Sequence, residues 1–248
     1  MALRNEKTQS PVKFFLKFFL PFLAVVLLSA ALACFFLSPL ITERVVETVA
    51  WDWLTPLDTG KRSDWDSLLI SKDGHFLYER PAYARLETHI HTGVDLQNRY
   101  RGGPGEPVYA VARGKVYDVK LQGKGTRVTL EHLLPNGELV YTSYIHVADV
   151  AVAKRMRVDA FTVIARRLNR EELHRYGKIY NHLHFQVHKN KFVPEHTIES
   201  RTPEEVDARF YNPEAIFHNH YQDAVPDWRA WTKSGKLSFG KLLLFLFW

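Results

Sequence analysis

Short runs of alternating, β-branched residues recur through the middle of this 248-residue chain and constrain its fold more than any other feature. They are Val108-Tyr-Ala-Val-Ala112, Gly114-Lys-Val-Tyr-Asp-Val119, Thr126-Arg-Val-Thr-Leu-Glu131, Leu139-Val-Tyr-Thr-Ser-Tyr-Ile145 and His182-Leu-His-Phe-Gln-Val187. Each is too short for a stable helix and is bounded by turn formers, so from about Arg80 onward the pattern predicts an antiparallel β domain. Asn136-Gly137 lies between two of the runs. A type I′ turn, in which both central residues need positive φ, would use this pair to tie 126–132 to 139–146. One helix is expected to interrupt the strands, Arg170 to Tyr176, with Asn169 as N-cap, Glu172 completing a capping box and Gly177 as the stop. A second short helix is expected at Asn212-Pro213-Glu-Ala-Ile-Phe217, with proline at its first position.

The N-terminal region has a different texture. Phe18 to Ile41 is an uncharged stretch of 24 residues, about 36 Å as a helix against a hydrocarbon core of about 30 Å. Arg4, Lys7, Lys13 and Lys17 precede it against Glu6 alone, so half of the chain's net charge of +6 sits before the span. By the positive-inside rule this places the N-terminus in the cytoplasm and the bulk of the chain outside, anchored in the cytoplasmic (inner) membrane by a single pass. A cleaved signal peptide is the rival, since Ala31-Leu32-Ala33 fits a cleavage site and Cys34 imitates a lipoprotein cysteine. The apolar run continues through Phe35, Phe36, Leu37 and Ile41, which favours an anchor. The remaining +3 is diffuse, without the Lys/Arg runs that nucleic-acid binding would require.

Composition narrows the chemistry. A single cysteine excludes an internal disulfide and a four-thiolate zinc site, and its place in the expected span excludes a cysteine nucleophile, while no G-x-S-x-G elbow supports a serine hydrolase. Twelve histidines leave imidazole as the available metal ligand. His91-Thr-Gly-Val-Asp95 offers an imidazole and a carboxylate with Gly93 between them to allow a sharp turn. In His182-Leu-His184 the strand period sends both imidazoles to one face and Leu183 to the core. His146 ends the strand Tyr141-Thr-Ser-Tyr-Ile145, where a histidine can exchange protons near neutral pH.

Together, HxxxD, a lone histidine at a strand end and a later HxH resemble the lysostaphin-like, or LytM-domain, zinc metallopeptidases over about residues 85–190. The likeness extends to Gly93-Val-Asp-Leu96, Pro107-Val-Tyr-Ala110 before Gly114-Lys-Val116, and Gly125-Thr-Arg-Val-Thr-Leu-Glu-His132. It implies one Zn2+ held by His91, Asp95 and His184, with His146 and His182 as unligated catalytic histidines. Three protein ligands leave a fourth position for water, the mark of a catalytic site. The implied activity is hydrolysis of peptide cross-links in peptidoglycan by metal-activated water with histidine acid–base help. The alternative is a catalytically silent LytM-type wall-binding module that regulates other hydrolases. The resulting fold class is mainly β: an antiparallel sheet or open-barrel metallopeptidase domain with short peripheral helices, preceded by one transmembrane helix.

The sequence departs from the family pattern where Arg166 to Gly177 replaces a Gly/Ser-rich approach to HxH and where Arg99 to Glu106 follows the first ligand pair. The first insertion reads as a solvated surface helix, with a lid that selects carboxylates through Arg170 or Arg175 as the other reading; the second reads as a rim of the cleft. His89 is out of register for a ligand, His132 reads as a structural hydrogen-bonding residue, and His188 as a neighbour of the site or solvent-facing. His75, His174, His196, His218 and His220 lack a ligand framework. The expected organisation is a cytoplasmic basic head (1–17), a transmembrane anchor (18–41), a juxtamembrane stalk or N-terminal wrap (42–80), the peptidase domain (81–195), an extension (196–236) and a hydrophobic tail (237–248). The last seven residues, Leu242 to Trp248, are too few to span a bilayer. Dipping into the membrane interface, pairing with a sheet edge and covering an apolar patch are all open to them; the lipid interface is adopted as the hypothesis.

Overall fold

Residues 19, 21–23, 25–29, 50, 53–81, 88–99, 102–134, 137–189, 192 and 202–218 are described in a computed structural model. The chain divides into two units, Met1–Glu47 and Thr48–Trp248. In the first, Phe19, residues 21–23 and residues 25–29 are helical, and no helix among the described residues is long and apolar enough to cross a membrane. The basic head, the rest of the expected span with Cys34, residues 42–49, Asn136 and the tail lie outside the described residues.

The second unit is built on antiparallel strands, in the order the alternating runs predict. They are β1 (Leu68–Ile70), β2 (Glu79–Arg80), β3 (His89–Ile90), β4 (Val94–Asn98), β5 (Pro107–Tyr109), β6 (Gly114–Lys120), β7 (Arg127–Leu133), β8 (Leu139–Ile145), β9 (Val147–Ala148), β10 (Arg157–Val158), β11 (Val163–Arg167), β12 (Leu183–Lys189) and β13 (Phe210–Tyr211). The main sheet runs β1-β4-β12-β8-β7-β6-β10, with β13 paired to β12; β5-β11-β9 and β2-β3 form smaller sheets. Helices are short: α1 (Arg170–Tyr176), α2 (Pro203–Arg209) and α3 (Pro213–His218).

Local chemistry explains the elements that the sequence makes legible. In α1 the Asn169 side chain accepts from Glu172 N–H while the Glu172 carboxylate accepts from Asn169 N–H, and Gly177 ends the helix at φ 113°. Leu173 is its buried residue; Arg170 and Arg175 face solvent, which is the solvated surface helix expected. The β7–β8 hairpin differs from expectation. Leu134 N–H donates to Glu138 O and Gly137 N–H donates to Leu134 O, closing a three-residue loop with Gly137 left-handed at φ 77°. That is the bulge-glycine hairpin, one residue longer than the two-residue turn, and one left-handed glycine closes it.

Residues 53–80 wrap the sheet. Leu57 bridges to Val108, β1 pairs with β4, and Leu57, Trp65 and Leu68 are buried in the core with Val94, Leu96, Tyr144 and Phe185. Apolar side chains fill one face of the central strands. The opposite face is also buried but polar: Thr129, Ser143, Gln186, His188 and His184 lie there. Its register rows, Thr129 beside Ser143 beside Gln186 and Ile145 beside His184 beside Asp95, set the geometry of the site.

His132 is the structural residue expected. Its Nδ1–H donates to Arg113 O at 2.8 Å and its Nε2 lies 2.8 Å from Thr142 Oγ1. Complete burial pushes this imidazole down to about 4, so the unfolded chain takes a proton near pH 6.5 that the folded chain refuses until about pH 4. Stability is therefore expected to fall as pH drops through that window, by an order of 3 kcal/mol from this group, and to be flat above it. Denaturant titrations at pH 7.5, 6, 5 and 4 should show a shallower decline in His132→Gln than in the parent.

Candidate metal centre

Asp95 on β4 and His184 on β12 are direct cross-strand partners, and Ile145 of β8 flanks His184 on its other side. Antiparallel register alone thus places a carboxylate and an imidazole side by side. His91 enters from the two-residue strand β3 just before β4. Gly93 makes the approach possible: a Cβ there would stand 2.3 Å from the Phe185 carbonyl oxygen. The sequence reading assigned Gly93 to a sharp turn, but its φ is not left-handed; what it provides is close backbone approach to β12.

The ligand-type atoms of His91, Asp95 and His184 lie within 4.8 Å of one another, and all three residues are buried. His91 Nε2 is 2.9 Å from His184 Nδ1, which is 2.9 Å from Asp95 Oδ1, and Asp95 Oδ1 is 3.2 Å from His91 Nε2. Ligands about 2.1 Å from a tetrahedral ion stand about 3.4 Å apart, so the triangle matches a zinc site to within about half an ångström. The nitrogen identities agree. His91 Nδ1 lies 2.9 Å from His75 O; a carbonyl can only accept, so the proton is on Nδ1 and the Nε2 lone pair faces the cluster. Burial pushes the His184 imidazole down to about 4, the neutral form a ligand needs. Burial opposes ionisation of Asp95, yet its contacts with the His184 and His91 imidazoles hold its carboxyl well below the usual carboxylate range.

His182 and His146 stand at the rim. His182 Nε2 is 3.3 Å from Asp95 Oδ1 and is buried without a hydrogen-bond partner; Leu183 is fully buried, as the strand period predicts. His146 follows β8 in the left-handed region at φ 65°, which swings its ring back over the face that carries His182 and His184, with centroids at 5.0 and 6.2 Å. Its Nδ1–H donates to Lys124 O at 2.6 Å, leaving Nε2 basic. Burial lowers the pKa of His146 and pushes that of His182 down to about 3. Both are neutral at pH 7.

All five residues selected from sequence therefore meet in one place. His89 lies in β3 outside the cluster. Of the two places expected for His188, solvent is excluded: it is buried on the His184 face under Phe192 and Phe210, with Nε2 3.0 Å from Ser143 Oγ. His75 contributes its carbonyl, and its side chain meets Glu214. His174 is exposed, the side chain of His218 is not described, and His196 and His220 lie outside the described residues.

Several residues at the site carry no sequence signal. Tyr180 packs on His146 at 4.9 Å and its hydroxyl accepts from Lys124 Nζ at 2.7 Å. Buried Arg167 joins the two insertions: NH1 meets Glu106 Oε1 at 2.5 Å, while NH2 donates to the backbone and side-chain oxygens of Asn181, both at 2.7 Å, directly before His182. The wrap closes over the ligands, with a Cβ at Gly74 only 2.9 Å from Asp95 Cβ. It also carries Arg80, whose guanidinium contacts Asp95 Oδ2 and lies 3.0 Å from His91 Nε2.

An antiparallel sheet thus carries, on one face, a buried His–Asp–His triangle that could hold a metal ion, with two further imidazoles beside it. Residues 89–194 match Peptidase family M23. Among solved structures, the solution structure of lysostaphin is similar at 17% identity, covering 68% of this chain and 56% of that one, with a TM-score of 0.44. A zinc-containing peptidase from Vibrio cholerae is similar at 24% identity over 56% of this chain and 37% of that one, with a TM-score of 0.37. A chain of the SpoIIIAH and SpoIIQ complex is similar at 20% identity over 66% of this chain and 99% of that one, with a TM-score of 0.42. No curated protein matches the sequence.

Proposed function

We propose that the protein is a membrane-anchored zinc metalloendopeptidase that cuts peptide cross-links of peptidoglycan. The observation that carries this reading is the buried triangle of His91, Asp95 and His184 with neutral His146 and His182 beside it, inside a segment that matches a peptidase family. His91 and His184 would hold zinc through Nε2 and Nδ1, and Asp95 through a carboxylate oxygen. Bound there, zinc would polarise a scissile carbonyl and acidify a water molecule toward pH 7. His146 Nε2 would take a proton, a role supported by Lys124 O, which fixes the opposite nitrogen as the donor. His182, at the same rim, would return a proton to the departing amine. Tyr180 against His146, and Arg167 through Asn181, hold these imidazoles in place.

The uncharged stretch 18–41 behind a basic head supports a single-pass anchor in the cytoplasmic membrane, with the catalytic domain outside, where peptidoglycan lies. The hydrophobic tail, 237–248, is assigned to the lipid interface. Within this organisation, 42–80 is the stalk and wrap, 81–195 the peptidase domain and 196–236 its extension.

The reading is tested with detergent-solubilised full-length protein by metal analysis and mass spectrometry of cross-linked muropeptides. One zinc per chain is expected, with new fragments that gain one water per cut and cease to form after chelation. Absence of both zinc and cleavage would favour a silent, wall-binding module.

A further inference from the structure

His91 Nε2, Asp95 Oδ1 and His184 Nδ1 lie 2.9 to 3.2 Å apart around one anionic carboxylate, a cluster that attracts a cation. Among the described residues, the positive group that meets them is Arg80, on the wrap before the peptidase segment. We propose that Arg80 is a built-in competitor for the metal, its guanidinium holding the ligand cluster closed until zinc displaces it. This inference rests on the zinc-site reading above and adds the regulation of its occupancy.

The geometry is specific. Arg80 NH2 donates to Asp95 Oδ2, lies 3.0 Å from the His91 Nε2 lone pair, and Nε donates to Asp73 O at 3.2 Å. The arginine thus uses two of the three metal-type ligands. Its delivery is built into the backbone: β2 pairs with β3 through Arg80 opposite His89, and Leu77 N–H and Tyr78 O bond to His91 O and N–H. The strand bearing the competitor is therefore the hydrogen-bonded neighbour of the strand leading to the first ligand. The His91 Nε2 lone pair can serve the guanidinium or a divalent ion but not both, and the arginine's charge beside Asp95 opposes the arrival of a second cation. Zinc binding must break the Arg80 contact to His91 Nε2 and weaken its charge-assisted bond to Asp95, a kind of bond among the stronger ones in proteins. The arginine side chain remains a quarter exposed, so it has a path out toward solvent.

Zinc affinity of the full-length protein, measured by competition with a chromophoric chelator, tests this directly. Arg80→Met, which keeps length and removes charge, should bind zinc about ten- to a hundredfold more tightly than the parent, or about 1.4 to 2.8 kcal/mol at 1.4 kcal/mol per tenfold. Arg80→Gln, a second uncharged variant, should do the same, and Arg80→Lys should stay closer to the parent because it keeps the cation. Metal-free Arg80→Met should also melt lower than the metal-free parent and gain more from added zinc. Zinc binding by the uncharged variants alone would also support the competitor. Equal or weaker affinity in both uncharged variants would overturn it while leaving the zinc centre intact. Failure of every form to bind zinc would overturn both.

Discussion

Replacing Asp95 with Asn is expected to abolish zinc retention and lower peptide-bond cleavage by at least about a thousandfold, the scale at which loss of the metal's Lewis-acid chemistry is felt. Asp95 is the only anion in the triangle and the hub of it, reached by His184 Nδ1 at 2.9 Å, His91 Nε2 at 3.2 Å, His182 Nε2 at 3.3 Å and the Arg80 guanidinium. Asparagine keeps the volume and one oxygen, so β4 and its pairing should survive and circular dichroism should be unchanged. What it loses is the charge that offsets a divalent ion among neutral imidazoles. Metal analysis after dialysis and muropeptide digestion provide two independent readings. A variant that retained stoichiometric zinc would remove Asp95 from the ligand set.

Under the proposed function, the rim histidines separate chemistry from metal binding. His182→Gln and His146→Asn are each expected to lower kcat/KM by about a hundred- to ten-thousandfold, the usual contribution of positioned acid–base groups, while zinc content stays at the parent level. Asparagine is chosen at 146 because the backbone there is left-handed at φ 65°, where alanine would add strain and asparagine is tolerated. The double variant should lose little more than the worse single one if the two imidazoles act in one proton relay. An unchanged rate in either single variant would withdraw the catalytic role from that residue.

How much of this was legible in sequence follows from the range of each interaction. Helix α1 was readable end to end, because Asn169, Glu172 and Gly177 act within one or two turns of chain. The strands were readable as alternating runs, and His182, Leu183 and His184 as a period-two triplet. For residues 42–80 the sequence leaves a stalk and a wrap both open, because 53–80 have no period of their own and are organised by contacts to distant partners such as Leu57 to Val108. The hairpin at Gly137 was placed correctly but read one residue too short, since a single left-handed glycine serves two different loops. For His188 the face alone leaves both a place beside the site and solvent open; Phe192 and Phe210, which cover that end of the sheet, decide for burial.

The sequence by itself determined the strand-rich architecture and the five residues that meet at the centre, because both rest on local periodicity and on a collinear pattern of ligand types. Only the tertiary structure decided how those residues meet. Register sets Asp95 against His184, a carbonyl from the wrap fixes the His91 tautomer, a left-handed residue turns His146 inward, and Arg80 is carried onto the ligands by a neighbouring strand. These are through-space relations between segments far apart in the chain, and no local spacing encodes them.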